Sequence, residues 1–153
     1  MTNAWVADPD EAEVVAALIV EFRDHLGGGE PSPESMLASV RRLIDDPDTE
    51  FLLAADGDGP AAAVLQLRFR WSVWKGAPDA WLEDLFVSAD ARRSGLGDAL
   101  VRLAFERARE RGARRIELDC FEDNAPALAL YERNGFSVHS KGRSRTLLLG
   151  RPL

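Results

Sequence analysis

Apolar residues recur along this chain at two spacings, and the change from one to the other marks its elements. Val14, Leu18 and Phe22 fall at helical intervals with Val15, Ile19 and Leu26 beside them, which predicts a first helix. Asp8 before Pro9 supplies its start, and Glu11 stands three residues further on, the spacing of a reciprocal cap. Gly27-Gly28-Gly29 ends it. A triple glycine is costly to order, so Gly27–Pro33 reads either as a lid beside a pocket or as a hinge between helices. Ser32 or Pro33 opens a second helix on Met36, Leu37, Val40, Leu43 and Ile44, stopped by Asp45-Asp46-Pro47.

The period then shortens. Asn3–Ala7 alternates weakly as a first strand, and Phe51–Ala55 is a short apolar one closed by the hairpin chemistry of Asp56-Gly57-Asp58-Gly59. Ala61–Trp71 is apolar first, then alternates Leu65, Leu67, Phe69 and Trp71 against Gln66, Arg68 and Arg70, as a strand with one wet face would. Trp81–Val87 is another strand, Ser88–Ser94 its exit loop, and Gly95–Arg111 a long helix. Arg115–Cys120 reads as a strand and Ala125–Asn134 as a helix stopped at Asn134-Gly135. Phe136–His139 and Ser144–Leu149 read as two final strands. This order predicts an α/β (α+β) fold, a central mixed sheet with helices on its faces.

Composition narrows the classes. The 153 residues fit one domain, 1–153, with a sizeable core. No run of 18 apolar residues suggests a membrane span, the first residues do not resemble a signal peptide, and one cysteine gives no disulfide framework. A cytoplasmic protein is expected. The net charge of −7 is divided unevenly. Residues 1–91 hold 18 acids against six bases, suited to a cationic small molecule, whereas residues 92–115 hold eight arginines against three acids, suited to a polyanionic cofactor. That basic stretch also reads as a helix's solvated face, and it is too small a surface for nucleic acid, so none is expected.

Candidate chemistry begins at Arg92-Arg93-Ser94-Gly95-Leu96-Gly97, where a strand's exit loop meets a helix start. Unpaired N–H groups there attract phosphate oxygens, glycines allow close approach, and arginines add positive charge. The segment lacks the spacing of a nucleotide P-loop or a full dinucleotide loop. Trp71, Trp74 and Trp81 surround a loop at Lys75–Pro78 and serve either an amine pocket, since indole faces bind cations, or packing and a dimer interface. Glu83 and Asp84 are adjacent acids in an apolar strand; alternation sends them to opposite faces. Cys120 reads as a buried small hydrophobe, and His25 and His139 have no ligand spacing, so no metal is expected.

Arg92, Gly95 and Gly97, followed downstream by Asn124-Ala125-Pro126-Ala127-Leu128-Ala129-Leu130-Tyr131-Glu132-Arg133-Asn134-Gly135-Phe136, resemble the two signature segments of the GNAT superfamily of N-acetyltransferases. Trp81-Leu82-Glu83-Asp84-Leu85-Phe86-Val87 resembles most closely its diamine and thialysine branch. The resemblance implies a mostly antiparallel twisted sheet of six to seven strands with about four helices. It implies acetyl-CoA as cosubstrate, its pyrophosphate on Arg92, Arg93, Ser94, Gly95, Leu96, Gly97 and Asp98, its pantetheine arm along the backbone of Leu85, Phe86 and Val87 where the strand splays after a bulge, and further contacts at Asn124 and Ala127. It implies a small primary amine as substrate, held near Trp74, Trp81 and Glu83, and a homodimer. By the same resemblance Glu83 is a base acting through water; the other reading pairs it with Arg68 or Arg70. Tyr131, the one tyrosine, implies the acid that protonates the coenzyme A thiolate; the other reading is a packed phenol. Asp84 reads as a structural anchor. Protein or peptide acetylation, and a non-catalytic acyl-CoA-binding domain, stand as alternatives.

Overall fold

The computed structural model describes residues 1–153. Five strands form one sheet in sequence order: β1 (Thr2–Val6), β2 (Thr49–Asp56), β3 (Ala63–Ser72), β4 (Ala77–Val87) and β5 (Ile116–Glu117). The first four run antiparallel to their neighbours, while β4 and β5 are parallel. Four helices flank it: α1 (Ala12–His25), α2 (Pro33–Ile44), α3 (Leu96–Glu110) and α4 (Ala125–Arg133).

The cap expected at Asp8 forms, with the Glu11 carboxylate taking the Asp8 backbone N–H at 2.9 Å. It opens a single 3-10 turn, and α1 proper follows at Ala12. The buried stripe of α1 is Ala12, Val15, Ala16 and Leu18, leaving Val14 and Leu26 exposed. Alternation along the strands divides the core in two. Leu52, Ala54, Leu65 and Leu67 pack under α3 and α4, while Phe51, Leu53 and Val64 pack under α1 and α2. Seven of the eight residues of β2 are buried, because helices cover both its faces.

The sheet has five strands, not six to seven. Phe136–His139 and Ser144–Leu149 form none. Local turns use the backbone groups a ladder would need: Ser140 N–H donates to Ser137 O and Gly142 N–H to His139 O, and His139 Nδ1 lies 3.0 Å from Arg143 O. Leu147, Leu148 and Leu149 stay exposed, so that run gains no buried face. The strand expected at Arg115–Cys120 shrinks to Ile116–Glu117, paired with Ala80 and Trp81 alone. No helix is long and apolar enough to cross a membrane.

Candidate active site

The centre of the molecule is a gap beside β4. Between the pairs Gln66↔Asp84 and Leu67↔Leu82 the register slips, leaving Glu83 as an extra residue on β4. Such a bulge bends a strand and resets its alternation. Leu82 before it faces the core under α3, and Phe86 after it faces the core under α1. Trp81 and Glu83, which line one cavity, share the face of Asp84 and Phe86. The two acids therefore do not point to opposite faces: the bulge cancels the alternation that would separate them.

Beyond Trp81, β4 has no partner on its β5 side. Ser88 N–H donates to Ala62 O at 2.9 Å. Antiparallel alternation then turns the backbone groups of Asp84 and Phe86 toward β3, and those of Leu85 and Val87 toward the gap. The Phe86 side chain is a core residue, stacked on Phe22 with centroids 5.2 Å apart.

At the far end of β4, a 3-10 turn (Ala89–Ala91) leads into α3. Arg93 and Gly95 adopt positive φ, 66° and 85°, which turns the chain sharply into the helix. The N–H groups of Arg93, Ser94, Gly95, Leu96, Gly97 and Asp98 find no acceptor within the chain, and Gly95 supplies no side-chain cap. Six free donors at a helix start form an anion site. Arg92 reaches back, donating through Nε to Val87 O at 3.2 Å while Nη2 lies 3.4 Å from both ring nitrogens of His25. His25 was not expected here; its place on the last turn of α1 is set by tertiary packing on Phe86. Ser94 Oγ donates to Ala91 O. The Asp98 carboxylate is engaged elsewhere, accepting from Arg133 Nε and Nη2 at 2.9 and 2.6 Å and from Asn134 Nδ2 at 2.8 Å. These bonds hold its proton affinity below the ordinary carboxylate range.

Helix α4 forms the opposite wall. Asn124 caps it, accepting from Ala127 N–H at 3.3 Å, so that N–H is already used. Tyr131 is buried with its ring edge-on to Phe136 at 5.7 Å. Burial pushes its phenol up to about 12, helped by the charges of Cys120, Asp84 and Asp119. Burial also pushes the Cys120 thiol up, with the charges of Asp119 and Asp123 adding to it. Asp84 is raised by burial first and then by the neighbouring charges of Glu83 and Asp119.

The tryptophan cluster dissolves. Trp71 continues the Leu67, Phe69 row over the α3 side, whereas Trp81 lies on the other face. Trp74, at the hairpin tip, is 98% exposed. Trp81 does line a cavity of about 250 Å³ with Arg68, Phe69, Arg70 and Glu83, and Arg70 lies 5.2 Å over its ring. Glu83 is exposed there and forms no ion pair with either arginine; Arg68 instead approaches Asp46 at 4.0 Å. No group of three or more His, Cys, Asp or Glu side chains is placed to hold a metal ion.

Residues 6–136 match the model of the acetyltransferase (GNAT) family. A mycothiol acetyltransferase of Beutenbergia cavernae is 38% identical over 126 residues, covering 78% of this chain; the chain spans only 40% of that protein's length. Mycothiol acetyltransferases of Corynebacterium and Clavibacter recur among the relatives. A thialysine N-epsilon-acetyltransferase of Caenorhabditis elegans is 29% identical over 81% of this chain and 76% of its own. The diamine and thialysine branch is thus one relationship among several. A protein of Arthrobacter sp. FB24, solved as a candidate acetyltransferase, superposes with a TM-score of 0.88 at 28% identity, covering 99% of this chain and 96% of its own. The chain belongs to the acetyltransferase (GNAT) family.

Proposed function

We propose that this chain, acting as one acetyltransferase domain, transfers the acetyl group of acetyl-CoA to the primary amine of a small molecule. The row of free N–H groups from Arg93 to Asp98, beside the opened edge of β4, carries this reading. The donors suit a pyrophosphate, with the Arg92 side chain, held by Val87 O, as a cation next to them. The backbone groups of Leu85 and the N–H of Val87 offer an extended peptide-like arm the hydrogen bonds a neighbouring strand would have made, while Val87 O already accepts from Arg92. Asn124, at the start of α4, stands at the other wall of the gap.

Three tasks remain for side chains and backbone: the amine must lose a proton, the thioester oxygen must be stabilised, and the thiolate must be protonated. Glu83, exposed at the cavity, orients the water that takes the amine proton. The freed nitrogen attacks the thioester carbon, N–H groups of the β4 edge stabilise the oxygen, and the carbon–sulfur bond breaks. Tyr131 gives its proton to the departing sulfur. Burial, which pushes its phenol up to about 12, keeps Tyr131 protonated at neutral pH.

Charge in the cavity suggests the substrate class. Glu83 suits an ammonium group, Arg68 and Arg70 suit an anionic one, and Trp81 supplies a flat wall. An amine that also bears a carboxylate, such as a lysine analogue, is therefore favoured over a long polyamine. The thialysine relative supports this direction. The test is kcat/KM for thialysine, several amino acids, putrescine and spermidine under identical conditions. Carboxylate-bearing amines are expected to lead; a tenfold lead for spermidine would reverse the assignment.

A homodimer is part of the same reading. The exposed Leu147, Leu148 and Leu149 and the short β5, paired on one side only, support it. Sedimentation equilibrium showing a monomer throughout the micromolar range would refute it.

A further inference from the structure

The acetyl-transfer reading leaves the Asp84 carboxylate, next to Glu83, without a role. The bulge at Glu83 brings both acids to one face of β4, with Glu83 exposed and Asp84 half-buried. Across β4 stands Gln66, which is uncharged. The charges of Glu83 and of Asp119, two residues past β5, act on Asp84, and the Asp84 charge acts in turn on Tyr131 of α4. From α1, His25 packs on Phe86, two positions along. No cation in this surround compensates the Asp84 charge.

That separates Asp84 from the acids that anchor structure. Glu50 and Glu117 lie close to arginine or lysine nitrogens and Asp98 accepts from Arg133 and Asn134; all three are held below the ordinary carboxylate range. Asp84 accepts no hydrogen bond and is displaced the other way. A desolvated carboxylate without a partner is costly, and its cost falls when it takes a proton. When two adjacent acids share one proton, the proton resides on the member that is worse solvated as an anion.

We propose that Asp84 holds the proton removed from the amine, receiving it through the water that Glu83 orients. This rests on the acetyl-transfer reading above. The amine nitrogen loses one proton to the water, and the water passes one to Asp84, which becomes a neutral carboxylic acid. The nitrogen then attacks the thioester carbon, the carbon–sulfur electron pair leaves on sulfur, and Tyr131 protonates it. Asp84 then carries one extra proton and Tyr131 lacks one. Water in the gap between them returns it, so both residues are restored with no further reactant.

The test is Asp84→Asn, with Asp84→Glu as the conservative variant, assayed by coenzyme A release with the best amine from the panel above. Asp84→Asn should lower kcat by about 10²-fold, move the acid limb of the kcat/KM profile to lower pH, and leave the acetyl-CoA Kd within twofold. Its Tm should not fall, because no hydrogen bond is lost. Asp84→Glu should recover the acid limb. Turnover within twofold of the parent with an unmoved limb would overturn the proposal. So would a loss of turnover accompanied by a lower Tm and an unmoved limb, which is the behaviour of an anchor. A parent protein that acetylates no amine would overturn the acetyl-transfer reading and this one together; failure of the Asp84 variants alone would overturn only this one.

Discussion

Leu130 Cδ2 stands 3.1 Å from the point that a β-carbon on Gly97 would occupy. Helix α4 therefore seats directly on the first turn of α3, and Gly97 serves helix packing as much as it serves the approach of a phosphate. Gly97→Trp should lower stability by about 1–3 kcal/mol through overpacking, so a loss of acetyl-CoA binding in that variant would report two effects at once. Adding Leu130→Ala should recover part of the lost stability, as coupled neighbours do. Urea unfolding of the single and double variants measures this. Additive losses would mean the two residues do not share the contact.

Glu50 makes a second, purely structural prediction. It is buried on β2 and accepts from Arg107 Nε and Nη2 at 2.8 and 2.7 Å and from Arg111 Nη1 at 3.3 Å, and the Arg111 guanidinium lies 4.1 Å over Phe69. Burial alone would raise its proton affinity, yet the hydrogen bonds and charges of both arginines leave it lowered. A carboxyl depressed by folding contributes stability that is present above its unfolded pKa and is lost as pH falls through the folded one. Glu50→Gln should thus cost about 3 kcal/mol at pH 7, and the gap between variant and parent should close in acid. A pH-independent difference in denaturant unfolding would contradict this.

Tyr131→Phe removes a hydroxyl that makes no hydrogen bond within the chain. Stability and acetyl-CoA affinity should hold, while kcat should fall by about 10²-fold. Pre-steady-state kinetics would place the loss in the chemical step. An unchanged kcat would leave Tyr131 as packing against Phe136 and assign thiolate protonation to water.

Much of this arrangement is legible without coordinates. The Asp8 and Glu11 cap, the helix over residues 96–110 and the tight turn at Gly95 follow from local spacing, because capping and turn chemistry are short-range. The bulge at Glu83 is not legible, since a one-residue slip appears only in the pairing of Leu67 with Leu82 and of Gln66 with Asp84. That slip puts Asp84 on the same face as Glu83, where alternation along an unbroken strand would have separated them. His25 beside Arg92, and Trp74 away from the cavity, likewise depend on contacts between distant segments. The final apolar run carries strand propensity, but propensity without a face to bury leaves Leu147–Leu149 outside the sheet.

The most direct test of acetyl transfer follows free thiol and acetylated amine together, by thiol titration and mass spectrometry, with acetyl-CoA and a panel of amino acids, thialysine, diamines and a peptide with a free N-terminus. The account predicts thiol release matched one-to-one by acetylation of a small amine, with Arg92→Ala raising the KM for acetyl-CoA by about tenfold or more through loss of a charge-assisted contact. Acetyl-CoA binding without any acetylated product would make the chain a non-catalytic acyl-CoA-binding domain. Acetylation of the peptide alone would contradict the small-molecule assignment.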